Sequence, residues 1–140
     1  METKYLERFK KLTKEQLPLR GSRLIVEVLP KEEIKTKGGL IVHADVNSVK
    51  TTTDQNRPTL AVVLATGSGY YDDETGDDVA MDVPVGAVCL ISQMGLKYYS
   101  HFPGISEYTG ETIALTRESE IHMYWPNLEA YQAYKDALNA

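Results

Sequence analysis

Met81-Asp82-Val83-Pro84-Val85-Gly86-Ala87-Val88-Cys89-Leu90-Ile91 passes from a step bearing proline and glycine into an unbroken run of small and branched apolar residues. A strand-length apolar run bounded by turn residues reads as a buried β-strand, so residues 87–92 are predicted to be one. Working outward, the same texture recurs at residues 59–66, at 112–116 and, ending at Pro30, at 23–29, with a further strand at 120–124. Branched and aliphatic residues dominate these runs because they fit a pleated, packed surface. The predicted class is all-β.

The connections carry as much information as the strands. Between 67 and 85, Tyr70 and Tyr71 enter and residues 79–83 leave an acidic tip made of Asp72, Asp73, Glu74, Asp77 and Asp78 around Thr75-Gly76, the pattern of a protruding hairpin. Residues 31–58 are rich in Lys, Thr, Asp, Asn and Gly and read as a long loop, with aliphatic content gathered at Leu40, Ile41 and Val42 just after Thr36-Lys37-Gly38-Gly39. Loops longer than about 15 residues are usually functional or disordered. An apolar triplet presented on two glycines points to a partner protein that covers it. Two short helices frame the chain. Residues 3–16 space Tyr5, Phe9, Leu12 and Gln16 helically before Pro18, and residues 126–138 place Leu128, Tyr131, Lys135 and Leu138 on one face behind Pro126.

Composition narrows the function classes. A chain of 140 residues with 42% apolar content suits one domain with a small core. Its net charge of −5 opposes nucleic-acid binding, which needs a basic face to collect phosphates. Cys89 is the only cysteine, which excludes an internal disulfide, and its apolar neighbours Val88 and Leu90 assign it to packing. The first residues lack the apolar core of a secretion signal, and no apolar run approaches the roughly 20 residues that span a bilayer. A cytoplasmic protein without membrane association is expected. His43, His101 and His122 are scattered, the acidic tip lacks the ligand spacing of a calcium loop, and Gly67 and Gly69 lack the lysine and helix of a phosphate loop. No metal, no cofactor and no catalytic residue is expected, so the protein is not read as an enzyme.

Taken in order, these parts resemble the GroES-like co-chaperonins of the chaperonin-10 type. The resemblance rests on residues 23–27, 36–42, 62–69, 82–91 and 112–121, and its specificity lies in the Asp82-Val83-Pro84-Val85-Gly86 step and the Gly-Gly-aliphatic loop occurring in that order. It implies a small β-barrel with a long mobile loop and a roof hairpin, self-associating as a heptamer that caps a large GroEL-like chaperonin ring while the ring holds ATP. On that resemblance Leu40, Ile41 and Val42 take the places of the docking triplet, Gly38 and Gly39 those of its hinge, and residues 70–81 form the roof. First and last strands of neighbours would clip together across the subunit interface. The division implied is an N-terminal helical extension (1–17), a barrel domain (18–125) and a C-terminal helical extension (126–140).

The extensions, the long segment at 43–58 and the expanded stretch at 98–110 depart from the family pattern. They resemble virus-encoded members, for which the compartment would be the host cytoplasm. Read on periodicity alone, Gly38-Gly39-Leu40-Ile41-Val42 is a turn entering an ordinary strand, which leaves open a second reading: a non-catalytic β-barrel serving as a structural or adaptor module.

Overall fold

The computed structural model describes residues 3–30, 33–35, 41–43 and 59–140, the two short middle segments as backbone only. Among the described residues, ten strands and two α-helices lie in the order α1 (Leu6–Lys10), β1 (Arg23–Val28), β2 (Glu33–Lys35), β3 (Ile41–His43), β4 (Thr59–Thr66), β5 (Tyr70–Asp72), β6 (Asp77–Val79), β7 (Val88–Ile91), β8 (Lys97–Tyr98), β9 (Ile113–Arg117), β10 (Ile121–Trp125) and α2 (Leu128–Leu138). Six of the strands form one sheet in the order β10-β7-β4-β1-β9-β8, every neighbouring pair antiparallel. The all-β expectation holds.

That sheet is curled. Strands β9 and β10 stand four places apart, which in a flat sheet is about 19 Å, yet only the short 3-10 turn Glu118–Glu120 joins them. A link of that length reaches at most about 14 Å fully extended, so the sheet must roll to bring its two sides together. The Glu118 carboxylate secures the fold-over by accepting N–H bonds from Asp82 (2.8 Å) and Val83 (3.2 Å), and its own N–H donates to the Ser22 carbonyl. The step at 82–86 and the turn at 118–120 are thus one junction in space.

Alternation along the strands sends residues to two cores. Leu24, Val26, Ala61, Val63, Val83, Cys89 and Ile91 pack on one face, rich in small side chains as the inside of a tight roll requires. Ile25, Val62, Leu64, Val88 and Ile113 pack on the other, under Tyr5, Leu6 and Phe9 of the N-terminal segment and Tyr131 of α2. Both faces are buried, which is why β1, β4 and β7 read as continuous apolar runs instead of alternating ones.

Three expectations need correction. Of the helix predicted over 3–16 only a single short turn forms, α1 at Leu6–Lys10. Thr13 and Gln16 exchange side-chain to backbone bonds (2.9 and 3.2 Å), a local ring that competes with helix continuation and turns the chain. Its buried face is Tyr5, Leu6 and Phe9, while Leu12 remains 41% exposed. The C-terminal helix begins at Leu128 behind an Asn127 cap, whose side chain accepts the Ala130 N–H at 2.8 Å, so Pro126 precedes the cap. Finally, residues 31–58 do not read as loop throughout, because β2 and β3 pair with each other.

Candidate functional site

The arm of residues 31–58 leaves the sheet after β1 and returns at β4. Within it β2 and β3 form a two-stranded antiparallel ribbon with Lys35 opposite Ile41, Ile34 opposite Val42 and Glu33 opposite His43. This ribbon pairs with no other strand of the described residues. An isolated two-stranded ribbon is marginal in water, so its stability depends on what it lies against. Of the five residues expected to dock a partner, Ile41 and Val42 occupy β3, and Gly38, Gly39 and Leu40 lie outside the described residues.

The second predicted feature is a hairpin. Strands β5 and β6 pair with Tyr70 opposite Val79, Tyr71 opposite Asp78 and Asp72 opposite Asp77. Its tip is closed by the Gly76 N–H to the Asp72 carbonyl (2.8 Å), with φ of +75° at Gly76, and by the Asp72 carboxylate accepting the Glu74 N–H at 2.9 Å. Like charges directly opposite one another are destabilising, and Asp72 and Asp77 are such a pair. Tyr70 and Tyr71 are 52% and 60% exposed. The hairpin therefore presents two aromatic bodies and five carboxylates to its surroundings, with Asp73, Glu74 and Asp78 completing the set.

Its root is set by backbone contact. Gly69 has φ of +107° and donates its N–H to the Gly21 carbonyl at 3.0 Å, and a Cβ at this position would collide with the Val79 carbonyl. Gly69→Ala should therefore lower stability by at least about 2 kcal/mol, the sum of a left-handed backbone and a steric clash. Gly104→Ala, with φ of +88° and open space around it, carries only the first cost and should lose about half as much. Urea midpoints of the two variants measure the difference.

Other reactive types are inert or dispersed. Burial pushes the Cys89 thiol up to about 12, so it stays protonated and unreactive near neutrality. His101 stacks edge-on against Tyr108, and His122 is exposed on β10. Among the described residues no group of three or more His, Cys, Asp or Glu side chains is placed to hold a metal ion, and no helix is long and apolar enough to cross a membrane.

A third feature escaped sequence reasoning: the two departures at 3–17 and 98–110 meet. Phe9 packs on Phe102 with ring centroids 5.6 Å apart, Phe102 packs on Tyr99 at 5.6 Å, and Arg8 bonds Glu107 at 3.1 Å. Thr109, fully buried, ties the stretch together by accepting the Phe102 N–H and donating to the Tyr99 carbonyl. Beneath them Glu27, only 4% exposed, accepts the backbone N–H groups of Lys4 and Tyr5 at 2.6 and 2.9 Å. The signal was present in the sequence as a carboxylate inside the apolar run 23–29, since a buried charge demands donors from elsewhere in the chain.

Compared with known families, residues 17–124 match the model of the Chaperonin 10 Kd subunit. No curated protein sequence matches the chain.

Proposed function

We propose that this chain, which belongs to the chaperonin 10 kDa subunit family, is a co-chaperonin subunit that caps a GroEL-like ring and helps enclose a folding substrate. The observation that carries this reading is the family match across the whole curled sheet, arm and hairpin included. Residues Gly38, Gly39, Leu40, Ile41 and Val42 form the docking element, and Tyr70 to Asp78 the roof. The protein performs no chemistry itself; the large ring binds and hydrolyses ATP.

The arm's pairing supports docking. A ribbon that pairs with no other strand among the described residues can be re-laid against a partner without breaking the main sheet. The edge strand β10 supports ring assembly, since its outer side is unpaired among the described residues and its exposed His122, Met123 and Tyr124 invite a neighbour. A heptameric ring, located in a cytoplasm (the host's, for a viral gene), completes the proposal, with residues 1–17 and 126–140 as extensions folded onto the barrel domain at 18–125.

The test is co-sedimentation of the full chain with a bacterial chaperonin ring, with and without ATP. A complex formed only with nucleotide is expected, and its absence under both conditions overturns the reading. The pairing of β3 with β2 also favours the adaptor reading, in which residues 41–43 are a fixed strand. Limited proteolysis separates the two. A docking arm is cut between residues 34 and 57 in the free protein and protected by ring plus nucleotide, whereas a fixed strand resists cutting throughout.

A further inference from the structure

A groove of about 370 Å³ runs beside α1, floored by buried Phe9 and Leu64, flanked by Leu12 and Val85 at 41% and 40% exposure, and rimmed by Lys10 and Lys14. Residues 4–15 around it hold five cations against two carboxylates, and of the five Arg8 is already paired with Glu107. Lys10 lies 3.6 Å from Glu7, both exposed, a contact worth little in water. The hairpin at 70–79 is its complement: five carboxylates, no cation, and two exposed tyrosines.

We propose that this groove receives the acidic hairpin of a second copy of the chain, a proposal that rests on the ring reading above. Height argues for it. The groove's wall includes Leu64, Ala65 and Thr66, the last residues of β4, and the hairpin springs from Tyr70 immediately beyond. Rotation about a ring axis preserves height, so a neighbour's hairpin emerges at the level of the groove. Charge argues the same way. Hairpins gathered at a roof would repel through five carboxylates each, and the lysine rim supplies the countercharge. A tyrosine, with an apolar body and a polar tip, suits a groove with an apolar floor and a cationic edge. Within one chain no hydrogen bond or ion pair among the described residues joins the hairpin to α1. The contact is head-to-tail, the kind that closes a ring.

The experiment mixes two single variants of the full chain, Leu12→Cys and Tyr71→Cys, under mild oxidation, with native mass spectrometry recording the assembly. A covalent dimer containing one of each is expected, with at most background from either variant alone. An intact ring without that mixed dimer overturns the docking while leaving the ring reading standing, whereas a monomer defeats both. Salt gives a second readout. Raising ionic strength from about 0.05 to 0.5 M shortens the screening length several-fold. It should loosen the wild-type ring at least tenfold and leave Lys10→Glu/Lys14→Glu rings, already weaker, unchanged or tighter. A wild-type ring that tightens with salt means the hairpins only repel one another, and the proposal fails.

Discussion

Ile41→Asp should fold with a wild-type urea midpoint and no longer sediment with a bacterial chaperonin ring in the presence of ATP. Burying each of three aliphatic side chains is worth roughly 1.5–3 kcal/mol, and ordering each backbone residue of the arm costs about 1–2 kcal/mol. One arm is therefore a weak ligand whose net affinity is a small difference between these terms. Exchanging an apolar anchor for a carboxylate removes its burial and adds desolvation of a charge, at least about 3 kcal/mol per arm, or more than a hundredfold. A ring multiplies the effect, because avidity sums the same deficit over every subunit. The fold should be indifferent, since position 41 sits in the β2–β3 ribbon, which pairs with no strand of the six-stranded sheet among the described residues. Thr36→Asp places the same charge on the arm outside the triplet and should retain binding. Normal capture by Ile41→Asp would strip the triplet of its role.

The strands were legible because both faces of the sheet are apolar. Residues 59–66 were bounded to the residue, and 23–29, 87–92, 112–116 and 120–124 to within one or two. The acidic hairpin was legible from its turn chemistry, Thr75-Gly76 between alternating strands. What periodicity could not supply was anything decided by contact between distant segments. The Thr13–Gln16 ring that ends α1 is local, yet a helical pattern through Leu12 and Gln16 masked it. Strand β8 has two residues, too few for any period, and exists because Lys97 and Tyr98 fall beside Leu115 and Ala114. The meeting of Phe9 with Phe102 and of Arg8 with Glu107 joins residues over 90 positions apart, which a one-dimensional reading treats as two unrelated additions. For the candidate site the limit was different. Two glycines and an aliphatic triplet fit both a docking arm and a turn entering a strand, and the ribbon pairing of Ile41 and Val42 is compatible with either until a partner is present.

Glu27→Ala is the second large effect expected, and it tests whether the N-terminal layer is latched or merely adherent. Glu27 sits in β1 between Val26 and Val28, in register with Val62 and Ile113, with its carboxylate turned to the two N–H groups that open the N-terminal turn. Hydrogen bonds to a charged group contribute about 1.5–3 kcal/mol each, so truncation should cost roughly 3–4 kcal/mol, less whatever is recovered by no longer burying a charge. Release of the layer is the alternative route to relief: Lys4 and Tyr5 regain water, and Leu6 and Phe9 leave the outer core. Because Phe9 carries Phe102 and Arg8 carries Glu107, hydrogen-exchange protection should then fall together at residues 4–10 and 99–109, and remain in β1, β4 and β7. Glu27→Gln keeps one acceptor but turns an amide donor toward the other N–H, so it should fall between wild type and alanine. Exchange rates that change at 4–10 alone would show that the two additions fold independently, and an unaltered urea midpoint would show that the buried carboxylate contributes nothing to holding them down.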